Sequence, residues 1–114
     1  MIVEMRTYQI RPTQAPEFLR IYREHGQDIQ TEILGPMIGC FSTEIGTLNQ
    51  VVILWAYQSY EDRTHRRDKL AEDARWKKYV EMIAPLIVSQ ENKLLTPATM
   101  PLSTWMDDLC FQGG

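Results

Sequence analysis

Gln50-Val51-Val52-Ile53-Leu54-Trp55-Ala56-Tyr57 is β-branched or aromatic almost throughout and carries no charge. A run of this kind suits a strand covered on both faces better than one with a wet side, so it belongs near the centre of a sheet. Immediately upstream, Gly46 to Asn49 reads as a turn, and Met37 to Ile45 as a second strand entering it. Gly35-Pro36 closes whatever precedes, because glycine accepts the left-handed cap of a helix and proline cannot continue one. That preceding element is helical. Ala15, Phe18, Leu19, Tyr22, Ile29 and Ile33 fall on one stripe while Arg20, Arg23, Glu24 and Gln27 fall mostly elsewhere, with a loosening expected at Gly26. Ahead of Pro12, Ile2 to Ile10 is too short for a helix and rich in β-formers. Alternation sends Ile2, Glu4, Arg6, Tyr8 and Ile10 to one face and Val3, Met5, Thr7 and Gln9 to the other.

Downstream of the central run, Ser59 followed by Asp62 approximates a capping box, in which the serine oxygen takes an orphan amide and the acid favours the positive end of a helix. The helix that starts there carries Arg63, His65, Arg66, Arg67 and Lys69 early and buries Trp76, Tyr79, Val80 and Ile83 late, with Asp73 placed to cap a second piece. Pro85 ends it. Leu86 to Leu95 supplies a last strand with an unusually polar middle, Ser89-Gln90-Glu91-Asn92. Beyond it Pro97 and Pro101 forbid regular pairing, which makes residues 99–114 an extended arm carrying Leu102, Trp105, Met106, Leu109 and Phe111. The order strand, helix, strand, strand, helix, strand predicts an α+β fold: a four-stranded antiparallel sheet with helices on one face and the other face open.

The 114 residues make one domain, and a chain of this size leaves an open sheet face as a natural seat for a partner subunit. Twelve Lys and Arg against fifteen Asp and Glu give no basic field, which argues against nucleic acid as a partner. No apolar stretch approaches the roughly 20 residues of a membrane span, and Glu4 and Arg6 interrupt the start where a signal peptide would be apolar. The expectation is a soluble, unprocessed, cytoplasmic protein. Cys40 and Cys110 lack metal-type spacing and read as reduced, non-catalytic thiols. His25 and His65 have no helix-spaced ligand companion, and neither a Gly-x-Ser-x-Gly nor a glycine-rich phosphate loop occurs. No metal and no cofactor is expected, and no motif establishes an enzyme.

Glu4-Met5-Arg6-Thr7-Tyr8-Gln9-Ile10-Arg11-Pro12, the stretch from Gly39 to Val51, Leu54-Trp55-Ala56-Tyr57, Asp62-Arg63 with Arg66-Arg67, and Ser89-Gln90-Glu91-Asn92 together resemble the NIPSNAP pattern, over residues 1–98. The resemblance implies a ferredoxin-like βαββαβ domain that dimerises through its open sheet faces into a dimeric α/β barrel of eight strands. It supplies no established reaction.

Four constellations carry candidate chemistry. Glu4, Arg6 and Tyr8 share a face and offer a polar lining for the barrel, where an Arg and a Tyr could orient an anionic or carbonyl ligand; the competing reading is a buried or interfacial Glu4–Arg6 ion pair. Trp55 and Tyr57 could hold a flat organic molecule, although core packing outweighs that use. Gln90 and Asn92 place two amides on one face of the last strand, to be satisfied across a dimer seam or by a ligand. Arg63, Arg66 and Arg67 are spaced to grip a phosphate or carboxylate, against the more ordinary solvated, salt-bridged helix face.

The leading expectation is therefore a homodimer, with higher assembly open, whose barrel cavity binds a small, partly apolar organic ligand through Glu4, Arg6, Tyr8, Trp55, Tyr57, Gln90 and Asn92. One alternative is a cofactor-independent monooxygenase or isomerase with Glu4 or Glu91 as base, drawn from other barrels of this architecture. The other is a protein-interaction module, since NIPSNAP-like proteins are linked to vesicle and mitochondrial settings and the aromatic arm could dock on a partner.

Overall fold

The computed structural model describes residues 1–99, so the arm expected over 99–114 lies outside the described residues apart from Thr99. Strand β1 (Ile2–Ile10) is followed by helix α1 (Ala15–Ile21), a π-helical turn (Tyr22–Gly26) and helix α2 (Gln27–Leu34). Then come β2 (Gly39–Ser42), β3 (Gln50–Tyr57), α3 (Tyr60–Glu72), α4 (Ala74–Ile83), a 3₁₀ turn (Ala84–Leu86) and β4 (Ile87–Leu95). The sheet runs β2-β3-β1-β4 with every neighbouring pair antiparallel. This is the ferredoxin-like α+β arrangement, with β1 and β3 inside and β2 and β4 at the edges.

The strand at Gln50–Tyr57 falls where its composition puts it, beside β1 in the interior. Its burial alternates, however. Val51, Ile53, Trp55 and Tyr57 are buried under the helices, while Val52 and Leu54 on the opposite face are only partly covered. The second strand is shorter than Met37–Ile45: pairing with β3 runs from Gly39 to Ser42 and stops, and Ile45 stands in solvent at 94% exposure. The ladder ends with the Thr43 amide donating to the Gln50 carbonyl at 3.0 Å, because β3 begins only at Gln50 and leaves Glu44 and Ile45 nothing to pair with.

Local signals place the helices. Ser59 Oγ accepts from the Asp62 amide at 3.1 Å and so starts α3. Asp73 ends α3 and caps α4, accepting from the amides of Arg75 at 2.8 Å and Trp76 at 3.3 Å. The loosening near Gly26 is a π turn, in which the Gln27 amide reaches back to the Tyr22 carbonyl. Glycine is required there by contact: a Cβ at residue 26 would lie 2.6 Å from Tyr79 Cζ. Phe18, Tyr22, Tyr79 and Ile83 pack the helices onto Tyr8, Ile10, Val51, Ile53, Trp55 and Tyr57. Val80, expected inside, is instead exposed, because the stripe of α4 that meets the sheet runs through Tyr79 and Ile83.

The turn between β1 and α1 is closed by Gln14 N–H donating to Arg11 C=O at 3.0 Å. Thr13 takes its third position at a φ of 70°, where a β-branched residue is strained. Asn49, at a φ of 57°, turns the chain into β3, and its carbonyl accepts from the Ile10 amide at 2.8 Å.

Candidate functional site

β1 presents Glu4, Arg6 and Tyr8 to the same side, as two-residue alternation requires. Antiparallel register sets Trp55 opposite Glu4 and Tyr57 opposite Ile2 on β3, and Asn92 opposite Arg6 and Gln90 opposite Tyr8 on β4. All seven residues singled out in the strands therefore share one face. That face is the helix-covered one: the Tyr8 ring lies 5.8 Å from that of Phe18 on α1, and α3 reaches Glu4. The expectation that they line a barrel is corrected by this, since a barrel closed by the open faces would enclose Val3, Met5, Thr7, Val52 and Leu54 instead. Periodicity groups residues by face but does not say which face the helices take.

Glu4 is fully buried and is the centre of the arrangement. Arg63 donates to Oε2 through Nη2 at 2.6 Å and Nε at 3.1 Å, and Arg6 Nη1 adds a contact at 3.2 Å. Arg67 Nε donates to Oε1 at 3.2 Å, as does the Tyr57 hydroxyl at 3.3 Å. The three arginine side chains are themselves mostly covered, at 14%, 20% and 15% exposure for Arg6, Arg63 and Arg67. Their joining of one carboxylate leaves a net charge of +2 in a largely desolvated place. Burial works to raise the Glu4 pKa, but the Arg63 hydrogen bond and the fields of Arg67, Arg6 and Arg63 overcome it and hold the carboxyl below its ordinary range. Burial also pushes the Tyr57 phenol up to about 12, so it stays a donor at neutral pH.

Two buried donors beside Glu4 lack a hydrogen-bond acceptor among the described residues: the Trp55 indole Nε1 and Arg67 Nη2. The latter lies 3.1 Å from Glu4 Oε1 without the alignment of a hydrogen bond. Towards β4 the arrangement opens. Arg6 Nε donates to the Tyr8 hydroxyl at 2.9 Å, and the Asn92 amide, with its oxygen turned to the guanidinium, accepts from Arg6 Nη1 at 2.9 Å. The amides of Gln90 and Asn92 lie 3.0 Å apart, and both residues are exposed.

The arginine trio of α3 divides. Arg63 and Arg67, one turn apart, turn inward to Glu4, whereas Arg66 pairs with Asp62 at 2.8 Å on the outer surface. The solvated-face reading holds for Arg66 and fails for the other two. A signal was present: Arg63, Arg67 and the buried Leu70 fall on one helical stripe, and Leu70 marks that stripe as inward. Glu91, the other candidate base, is exposed on the opposite face 3.6 Å from Lys93. Among the described residues no group of three or more His, Cys, Asp or Glu is placed to hold a metal. No helix among them is long and apolar enough to cross a membrane.

The fold and this buried, arginine-clamped carboxylate define a small α+β protein of the ferredoxin-like class. The NIPSNAP family model matches residues 3–101, and the chain belongs to that family. It is 32% identical over 97 residues to a NipSnap homolog of Dictyostelium discoideum, covering 85% of this chain and 43% of that protein. The chain thus spans less than half the length of that relative. A NIPSNAP family protein from Agrobacterium tumefaciens strain C58 superposes with a TM-score of 0.85 at 48% identity, over 90% of this chain and 98% of that one. The fold alone extends further, to a Nitrosomonas europaea protein assigned to the antibiotic biosynthesis monooxygenases, at 12% identity, a TM-score of 0.62, and 85% and 98% coverage.

Proposed function

We propose that this chain works as a homodimer that binds a small, partly apolar organic ligand through a carboxylate or carbonyl oxygen, on the helix side of the sheet beside Glu4. The supporting observation is the surplus of donors there: three guanidiniums on one carboxylate, with Trp55 Nε1 and Arg67 Nη2 still without acceptors. A buried donor left unsatisfied costs about 1–3 kcal/mol, which an acceptor-bearing ligand recovers. Tyr57 and Trp55 supply the flat apolar wall, and Gln90 and Asn92 the polar margin at β4. Glu4 is not given the role of a base, because a carboxylate stabilised in its ionised form takes a proton weakly. A second copy is proposed to cover the open sheet face, where Val3, Met5, Val52 and Leu54 are only partly buried and Phe41 is exposed.

The test follows the Trp55 indole N–H by NMR while the intact protein is titrated with benzoate, acetophenone and benzyl alcohol. The reading expects a downfield indole shift with the first two, and loss of the benzoate shift in Arg67→Lys, which keeps the charge but not the planar fork. An indole signal unmoved by all three compounds would refute it.

A further inference from the structure

A cleft of about 530 Å³ lies between the start of α1 and the β2–β3 connection. Its size is within the roughly 300–1,000 Å³ of small-molecule sites. Neither Glu4 nor any of the three clamping arginines lines it. Pro16 and Leu19 of α1 with Arg23 of the π turn line it from the helix, and Thr43, Leu48 and Asn49 line it from the β2–β3 connection. Arg23 is the one charged residue of the lining, and it has no carboxylate partner among the described residues. The side chains of Thr43 and Asn49 likewise engage no internal hydrogen bond among the described residues, so amide and hydroxyl groups are available on the rim of an apolar trough.

The backbone gives a second, independent pointer. Of the described residues other than glycine, just two have left-handed φ, Thr13 and Asn49, and both line this cleft. Glycine is the residue such positions favour, and a β-branched residue is the least suited of all. Asparagine tolerates this conformation, so the strained position is Thr13, whose residue lines the cleft. Backbone strain of this kind clusters at binding and functional sites.

We infer that this cleft is a second binding site, separate from the Glu4 cluster, for a monoanionic amphiphile: an aliphatic or aromatic monocarboxylate whose chain lies along Pro16, Leu19 and Leu48 and whose carboxylate meets Arg23. One cation in the lining matches one negative charge; a neutral alcohol of the same length gains the apolar lining but leaves the guanidinium unanswered. A dianion would exceed the charge available.

The experiment is a two-dimensional amide NMR titration of the intact protein with sodium octanoate and, in parallel, 1-octanol. Octanoate should shift the amides of Thr13, Thr43 and Asn49 to the same extent in Arg67→Lys as in the unaltered chain, and it should bind at this cleft at least about tenfold more tightly than octanol. Arg23→Gln, a surface change that leaves the core alone, should remove that preference; Arg23→Lys should retain most of it. Equal responses to the two compounds, an unchanged response in Arg23→Gln, or shifts that centre away from the cleft would each overturn the assignment.

Discussion

Glu4 is held by three guanidiniums that have no other carboxylate partner among the described residues, and its loss would be felt by all of them. Glu4→Gln keeps the shape and removes the charge, so three largely buried guanidiniums face one another without a counter-ion. Breaking a buried pair in this way costs about 3–5 kcal/mol, and a urea unfolding midpoint at pH 7 should fall accordingly. The pH dependence follows from the lowered folded pKa. Its stabilisation is complete above the unfolded value of about 4.3 and is lost as pH falls through the lower folded value. Unfolding midpoints taken from pH 7 to pH 3 should therefore drop more steeply for the native protein than for Glu4→Gln below about pH 4.5; parallel curves would mean that the carboxylate is not the titrating group. The sequence made Glu4, Arg6 and Tyr8 legible as one face, because alternation is purely local. It did not reveal that the partners come from α3, 59 and 63 residues away, since side-chain direction on a helix shows only once the stripe ending at Leu70 is recognised as inward.

Elements announced by local chemistry were the ones most readily read. Ser59 and Asp73 cap their helices as their types and spacing suggest, and Asp73→Ala should cost about 1 kcal/mol in a denaturant titration, with α4 fraying first in amide exchange. Where length depends on a distant partner, the sequence was less informative: β2 ends at Ser42 because β3 offers nothing beyond Gln50 and Val51 to pair with. The π turn belongs between these cases. Gly26 signals a loosening, but only the Tyr79 ring explains it, wedged between Tyr22 at 6.1 Å and Trp76 at 4.9 Å. Gly26→Ala drives a methyl group into that ring, whose neighbours leave it little room to retreat. A loss of about 1–3 kcal/mol is expected by thermal unfolding, in contrast to the gain that the same change brings to an ordinary helix interior.

At the scale of the whole molecule, helices cover one side of the sheet over β1 and β3, and the other side holds partly exposed Val3, Met5, Val52 and Leu54 in the centre of its strands. Leu54→Asp places a charge in the middle of that face without touching the helix-side core. Light scattering should then report a monomer with native circular dichroism, against a dimer for the unaltered chain; an unaltered chain that is itself monomeric, or a Leu54→Asp variant that stays dimeric, would dispose of the proposed pairing. The strand order has another consequence, for synthesis. β1 is the first strand of the domain to be made, yet one of the two strands that flank it, β4, and two of the three guanidiniums that neutralise Glu4 belong to the second half of the chain. At about 5–20 residues per second, β1 waits on the order of ten seconds for β4 to be completed, and the edge that β4 will cover stays open throughout. A strand that ends up inside the sheet is thus the one exposed longest during translation, and that interval is when a holding chaperone would have most to grip.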